Sequence, residues 1–566
     1  MYQELRDTWD ELTQPGQMFE LTTISIRGAD DVKAFANIPG SLRDVWEMTA
    51  GHGQADYLVY EDERWTYEEA HQQVQSIAAW LTANGVQQHD RVAIAMRNYP
   101  EWMLAYWAVI SMGAVAVGMN AWWVPEEMDY GLADSAPKAL ICDKERLQRF
   151  SEIAANHPDI KVVAVRCEDE LPAGVVSWSE LISADPVKQT VEIDPDDDAC
   201  VFYTSGTTGR PKGAQLTHRG CVTNLFAVVF ANMAQSMAAA KVSPPVETDE
   251  APVQQAAIIA TPLFHVTANN CLAQALTLAG GKLLHMYKWD AGEALRIIEA
   301  EKITTFTGVP VMSREMMNHP DYQHRDTSSL KSLGGGGAPV QPDLVDKIDK
   351  NGGNAAPSQG YGMTEVCGII SAVGGAYFVD KPKSAGLVMP TFDIKCVDED
   401  GKEVPLGERG EVCVKGAQVI KGYLNRPEAT AEAIVDGWLA TGDIGYLDDD
   451  GFLYLVDRAK DMVLRGGENV YCSEVETVLF SHDDVAECAV FSVPDDRLGE
   501  EVGAAIYLTA GKSLTAEELR EFCKVHLSAY KIPRYIWMMD EQLPRNASGK
   551  FLKKELQKEL LVVDAS

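Results

Sequence analysis

The residues most able to do chemistry lie in one run, Tyr203-Thr204-Ser205-Gly206-Thr207-Thr208-Gly209-Arg210-Pro211-Lys212-Gly213, with four aliphatic hydroxyls, three glycines and two cations in eleven positions. Glycines let a backbone approach a ligand closely, hydroxyls and amides bond anionic oxygens, and Lys212 adds charge. The segment suits a phosphate cradle. It is not a Walker loop, because Gly213 stands where that motif needs Ser or Thr after its lysine. A second run, Ser548-Gly549-Lys550, has a glycine that lets a loop project and a lysine that can neutralise an anion. Basic residues outnumber acidic ones between Cys523 and Lys558, against the trend of the chain. This stretch can therefore face a negatively charged ligand.

Each candidate needs an element to carry it. The hydroxyl-rich loop follows the apolar run 199–202 and precedes Val222, Leu225, Phe226, Val229, Phe230 and Met233, whose offsets are those of an amphipathic helix. It is predicted to join a strand to a helix. From about Thr66 to Leu284, helical patterns alternate with short apolar runs at 92–95, 139–142, 162–165 and 257–260, which predicts parallel sheets covered by helices. The Ala/Ser/Pro-rich stretch from Met237 to Pro245 reads as an exposed loop. After about Ser384 the texture changes to short strands with turn signals at 398–401, 407–410 and 448–451, as in the hairpins of a small β-rich lobe over about 384–456. Beyond Asp457 the pattern is compact α/β again. Ser473 to Glu476 and Thr515 to Glu518 each fit a helix capping box.

The chain has 566 residues, too many for one compact core. Hydrophobic residues make up 46% and charged residues 23%, as in ordinary globular proteins. Asp and Glu outnumber Lys and Arg 84 to 49, a formal charge of −35, so nucleic acid is a poor partner and any anionic substrate must be held by local donors. The eleven cysteines form no CxxC pair, which disfavours disulfides and zinc. The first ten residues lack a signal-peptide pattern, and a cytoplasmic location is expected. The uncharged stretch from Trp102 to Pro125 is interrupted by Gly113, Gly118 and Asn120, and reads as a buried helix and strand instead of a transmembrane span.

The loop resembles the signature of the adenylate-forming superfamily: acyl-CoA synthetases, luciferases and the adenylation domains of peptide synthetases. Further segments match in that superfamily's order: Gly335-Gly336-Gly337-Ala338-Pro339, Gln359-Gly360-Tyr361-Gly362-Met363-Thr364-Glu365, Thr441-Gly442-Asp443, Asp457-Arg458-Ala459-Lys460-Asp461 with Gly466-Gly467-Glu468-Asn469, and Leu543-Pro544-Arg545-Asn546-Ala547-Ser548-Gly549-Lys550. The resemblance covers nearly the whole chain. It implies an α/β fold with a large N-terminal domain (1–456) of two parallel helix-covered sheets plus the β-rich lobe, a hinge at 457–461 and a small mobile C-terminal α+β domain (462–566). ATP, Mg²⁺ and coenzyme A are the implied cofactor and co-substrates, with a small carboxylic acid as partner. Homo-oligomerisation stays open.

The resemblance also implies roles. Thr204, Ser205, Gly206, Thr207, Thr208, Gly209 and Lys212 would hold phosphates, with Gly337, Ala338, Pro339, Gly362 and Thr364 beside the nucleotide. Tyr361 would stack on adenine. Glu365, with Thr207, would hold Mg²⁺, since a hard cation shared with phosphates takes oxygen ligands. Asp443 would accept the ribose hydroxyls, Arg458 would accompany it, and His265 would stand beside the acyl carboxylate. By themselves, Asp443 reads as a turn residue and His265 as a structural histidine. Lys550 would neutralise charge at the α-phosphate, Lys460 would be the pivot, and Gly466 and Gly467 would line the thiol tunnel. Segments 264–276, 305–310 and 366–370 would line the acyl pocket. Their apolar and small residues favour a medium- or long-chain fatty acid ahead of aromatic or steroidal acids. Rival readings are transfer of the adenylate to a carrier protein, luciferase-like oxidation, and a nucleotide sensor without catalysis.

Overall fold

A computed structural model describes residues 1–204, 210–242, 253–458, 461–466, 468–495, 497–547 and 549–564. The first of its two large sheets has eight strands. Five neighbouring pairs are parallel, running from Asp198–Thr204 through Val115–Gly118, Arg91–Ala95, Ala139–Asp143 and Lys161–Val165 to Val175–Ser177. Lys212–Thr217 and Gly422–Tyr423 extend its other edge antiparallel. These apolar runs sit between covered faces, as parallel strands must.

The strands on either side of residues 205–209 pair as a hairpin. Thr204 pairs with Lys212 and Phe202 with Ala214, and the helix His218–Val242 begins only after the second strand. The helix-only expectation missed the period-two burial of Ala214 and Leu216 around outward Gln215. That helix also runs through Met237 to Val242, part of the expected loop; the remainder lies outside the described residues. It is apolar and long enough to cross a membrane by composition, but it is packed against the N-terminal helix Tyr2–Thr13 and the strand Gly368–Gly374. The other apolar stretch resolves as read: helix Pro100–Ser111 is buried on all sides and leads into the buried strand Val115–Gly118.

The second sheet has fourteen strands. A parallel half runs from Asp56–Tyr60 through Lys282–His285, Ala256–Ile259, Thr305–Gly308 and Ser332–Gly336 to Ala356–Met363. From Gly368–Gly374 onward it is antiparallel, and the strands of the β-rich lobe continue the same ladder where Gly386–Val388 pairs with Phe452–Arg458. After Val463 a separate five-stranded sheet has its own cores. Cys472–Phe480 and Ala516–His526 cover one face, and Lys553–Asp564 packs against the strand Val485–Asp495. Thr515 caps its helix as expected, with the reciprocal Glu518 bond. Ser473 does not. It lies inside the helix, and its hydroxyl donates to the Val456 carbonyl.

Candidate active site

Tyr361 leaves the strand Ala356–Met363 beside a register shift between Tyr361 and Gly362. A Cβ on Gly362 would lie 1.8 Å from the Gly368 carbonyl oxygen, so the close approach of these two strands requires glycine. The Tyr361 hydroxyl donates to Asp443 Oδ2 at 2.6 Å. Burial, and then the Asp443 charge, push that phenol far above its ordinary range. Asp443 stands opposite Arg458 in the hairpin of Trp438–Leu447 with Phe452–Arg458, and Arg458 Nε lies 3.3 Å from its Oδ1. Thr441 braces the approach: its hydroxyl donates to the Val412 carbonyl at 2.8 Å and accepts the Asp443 N–H at 3.1 Å.

Thr364 and Glu365 follow in a short turn that ends on Cys367 at φ +59°. Glu365 is buried, and its Oε1 accepts the Tyr423 hydroxyl at 2.9 Å. The Tyr423 ring also lies 4.9 Å below Lys212 Nζ. Thr204, across the hairpin, donates its hydroxyl to the Lys212 carbonyl at 3.4 Å. The carboxylate of Glu365 fits a magnesium ion, because that ion typically takes one or two protein carboxylates and completes its octahedron with phosphate oxygens and water. Glu365 Oε2 has no described hydrogen-bond partner that would block this.

Lys550 arrives from the unit that follows Val463. Asn546 closes its loop: the Lys550 N–H donates to Asn546 Oδ1 at 3.0 Å, and the Asn546 N–H to the Lys550 carbonyl at 2.9 Å. Gly549, at φ +79°, presses on Val309, where a Cβ would come within 2.8 Å of a methyl. Lys550 Cε then lies 4.0 Å from where a Cβ on Gly337 would be. Gly337 is at φ +77°, and Ala338 and Pro339 follow it past the strand end. Although part of Lys550 meets solvent in the cleft, desolvation and then the Arg458 charge hold its ammonium below the ordinary lysine range, with Asp443 and Glu365 opposing. His265 is half-buried at the same place. Burial, and secondarily the Lys550 charge, push it down to about 4, so it is neutral at ordinary pH.

Lys550, His265, Glu365, Tyr361, Asp443, Arg458 and Gly337 therefore converge on one cleft. Gly466 does not join them: it sits at φ +59° in a separate hairpin, with its N–H donated to the Leu498 carbonyl at 2.8 Å. Ser205, Gly206, Thr207, Thr208, Gly209, Lys460 and Gly467 lie outside the described residues. Sequence reasoning missed Tyr423, whose place depends on a two-residue strand that carries no periodic signal.

Near Thr267, paired glycines form a short wall of bare backbone. Gly336 and Gly360 are paired on adjacent strands, and a Cβ on either would meet nothing closer than 3.5 Å. Thr267 and Ile369 flank the wall, and half-buried Cys271 follows on a π-helical turn. Buried amides lie beyond: Asn224 Oδ1 accepts the Ile369 N–H at 2.8 Å, and Asn270 Nδ2 donates to the Cys367 carbonyl at 3.0 Å. On the other side, a cavity of about 300 Å³ opens beside Phe264 and Ala547. Its cations are Arg97 and Lys288, and Arg97 stacks between Trp122 at 4.2 Å and Tyr287 at 4.7 Å.

The profile of the AMP-binding enzyme family matches residues 45–424, and that of the AMP-binding enzyme C-terminal domain matches 474–550. The chain is 37% identical over 494 residues to a feruloyl-CoA synthase of Amycolatopsis sp., covering 87% of this chain and 93% of the relative. It is 33% identical over 513 residues to a long-chain-fatty-acid–CoA ligase of Bacillus subtilis, covering 85% and 88%. The solved structure of the anthranilate CoA ligase AuaEII with anthranoyl-AMP superposes with a TM-score of 0.83 at 25% identity, over 93% of this chain and 98% of that one. The chain thus belongs to the AMP-binding enzyme family, within the adenylate-forming superfamily, and is an AMP-forming acid–thiol ligase.

Proposed function

We propose that this ligase activates a planar aromatic carboxylic acid as its acyl-adenylate and passes the acyl group to coenzyme A. The observation that carries the aromatic reading is the glycine wall, where Gly336 and Gly360 lie side by side on paired strands and carry no side chain between Thr267 and Ile369. A flat ring can lie against such a wall, and the buried amides of Asn224 and Asn270, bonded to the Ile369 N–H and the Cys367 carbonyl, bring polar groups to the same region. Feruloyl-CoA synthase among the relatives supports the reading. A medium- or long-chain fatty acid is the second reading, favoured by the fatty-acid–CoA ligases at 33% identity.

Tyr361 stacks on adenine, and the ribose takes the acceptor places on Asp443 now held by Tyr361 and Arg458. Thr204, Lys212, Thr364 and the loop containing Thr207 hold the phosphates, beside Gly337, Ala338, Pro339 and Gly362. Magnesium on Glu365 and Thr207 would supply charge neutralisation across the phosphate oxygens. Neutral His265 positions the acid without competing for its negative charge. The acid carboxylate attacks the α-phosphorus, pyrophosphate leaves, and Lys550 stabilises the charge that develops there.

In the second step the coenzyme A thiolate attacks the acyl carbon and AMP leaves. A thiol of ordinary pKa, near 8.5, has a useful thiolate fraction without a dedicated base. The cavity with Arg97 and Lys288 suits the anionic end of coenzyme A, and residues 462–566 turn about 457–461 to bring Gly466 and Gly467 to the thiol. A pyrophosphate-release panel tests the acid: hydroxylated aryl acids should exceed octanoate in kcat/KM by tenfold or more. The reverse order would establish the fatty-acid reading in its place.

A further inference from the structure

Among the described residues, Tyr423 touches both Lys212 and Glu365, and no motif points to it. Its hydroxyl donates to Glu365 Oε1 at 2.9 Å, and its ring face carries Lys212 Nζ at 4.9 Å. Its backbone is tied just as closely. Tyr423 pairs with Ala214 at the edge of the first sheet, the Leu424 N–H donates to the Gly213 carbonyl at 2.8 Å, and the Ile420 N–H donates to the Glu365 carbonyl at 3.0 Å. Residues 420–424 thus tie the phosphate hairpin to the carboxylate turn of the other sheet.

We propose that Tyr423 is a positioning residue that holds the Glu365 carboxylate and the Lys212 ammonium as one preset unit for a metal-bound triphosphate. The inference rests on the roles given above to Glu365 and Lys212. A single donor on Oε1 fixes the rotation of the carboxylate and leaves Oε2 for a hard cation. The ring attracts the lysine through its face without neutralising it, whereas a carboxylate in that place would compete with phosphate for the ammonium. The ring also packs against the core, but its hydroxyl and its face go to charged groups. A tyrosine kept only for packing needs neither.

The test compares Tyr423→Phe, Tyr423→Leu and Glu365→Gln by calorimetry with two probes, metal-free AMP and magnesium-ATP, together with the magnesium half-saturation of pyrophosphate release. AMP lacks the β- and γ-phosphates, so it reports the folded adenosine site alone. Tyr423→Phe should keep AMP affinity within twofold and weaken magnesium-ATP about tenfold, the scale of a lost bond to a charged group, with a matching rise in magnesium half-saturation. Tyr423→Leu, which also removes the ring from Lys212, should weaken magnesium-ATP at least threefold further. The inference is overturned if Tyr423→Phe leaves magnesium-ATP affinity within twofold, or if AMP and magnesium-ATP weaken in parallel. Glu365→Gln separates the two levels. If it raises magnesium half-saturation while Tyr423→Phe does not, only the positioning role fails; if neither does, the metal role of Glu365 fails with it.

Discussion

Lys550 and His265 share a small volume with opposite consequences for charge. Both are pushed down by desolvation, Lys550 below the ordinary lysine range and His265 to about 4, where it is already neutral. In the proposed mechanism, Lys550 brings a movable charge to the α-phosphate and His265 an uncharged ring to the acid. This division predicts a pH profile. Because the ammonium of Lys550 lies below the ordinary lysine range, it loses its proton earlier on the alkaline side, and the rate of pyrophosphate release should fall as pH rises through that value. Lys550→Arg, whose guanidinium does not titrate there, should remove this alkaline limb even where it lowers the rate. An alkaline limb unchanged in Lys550→Arg would assign it to another group. No acid limb from His265 is expected above about pH 5, since that ring is neutral throughout the range.

Elements, not single residues, decide which of these groups can meet. The two strands that flank Tyr361 approach so closely that a Cβ on Gly362 would reach 1.8 Å from the Gly368 oxygen, and the approach aims the Tyr361 ring at Asp443. Gly362→Ala must open that pair, at a cost of about 3 kcal/mol. It should lower the melting temperature and weaken AMP binding together. Retention of both, by calorimetry, would show that the strands can separate without moving Tyr361. The same scale explains what the sequence makes legible. The phosphate loop and the Lys550 loop stand out because unusual residue types crowd into short runs, and the parallel core stands out because buried strands are continuously apolar. The second strand of the phosphate hairpin is hidden, since its alternation spans six residues beside a strongly helical pattern. Ser473 misleads because the local capping box competes with a tertiary partner, the Val456 carbonyl, that sequence does not contain. Tyr423 is invisible for a related reason: two residues of edge strand carry no period, and its partners lie 58 and 211 positions away in the chain.

At the scale of the whole molecule, the unit after Val463 rests on the large one through scattered contacts. Gly549 meets Val309, Thr477 donates its hydroxyl to Gln341 Oε1 at 3.1 Å, Arg314 faces the Phe480 ring at 5.6 Å, and Arg409 faces Tyr471 at 4.9 Å. Most are polar or cation–ring contacts of the kind that separate and re-form readily. They place Lys550 in the cleft and leave Gly466 outside it, an arrangement suited to the first half-reaction. In the proposed mechanism the second uses the other face of the same unit, reached by rotation about Lys460. Two lysines with different jobs make this testable. Lys550→Ala removes charge only from adenylation, so it should lose about a hundredfold or more in forming acyl-AMP, the scale of a lost transition-state donor. It should still convert supplied acyl-AMP into the thioester. If Lys460 is the pivot, Lys460→Pro restricts φ there, so acyl-AMP should form while its transfer to coenzyme A slows. Stopped assays of each half-reaction on both variants decide the matter: if the two variants lose the same half-reaction, the pivot and the alternation of the C-terminal unit fail together.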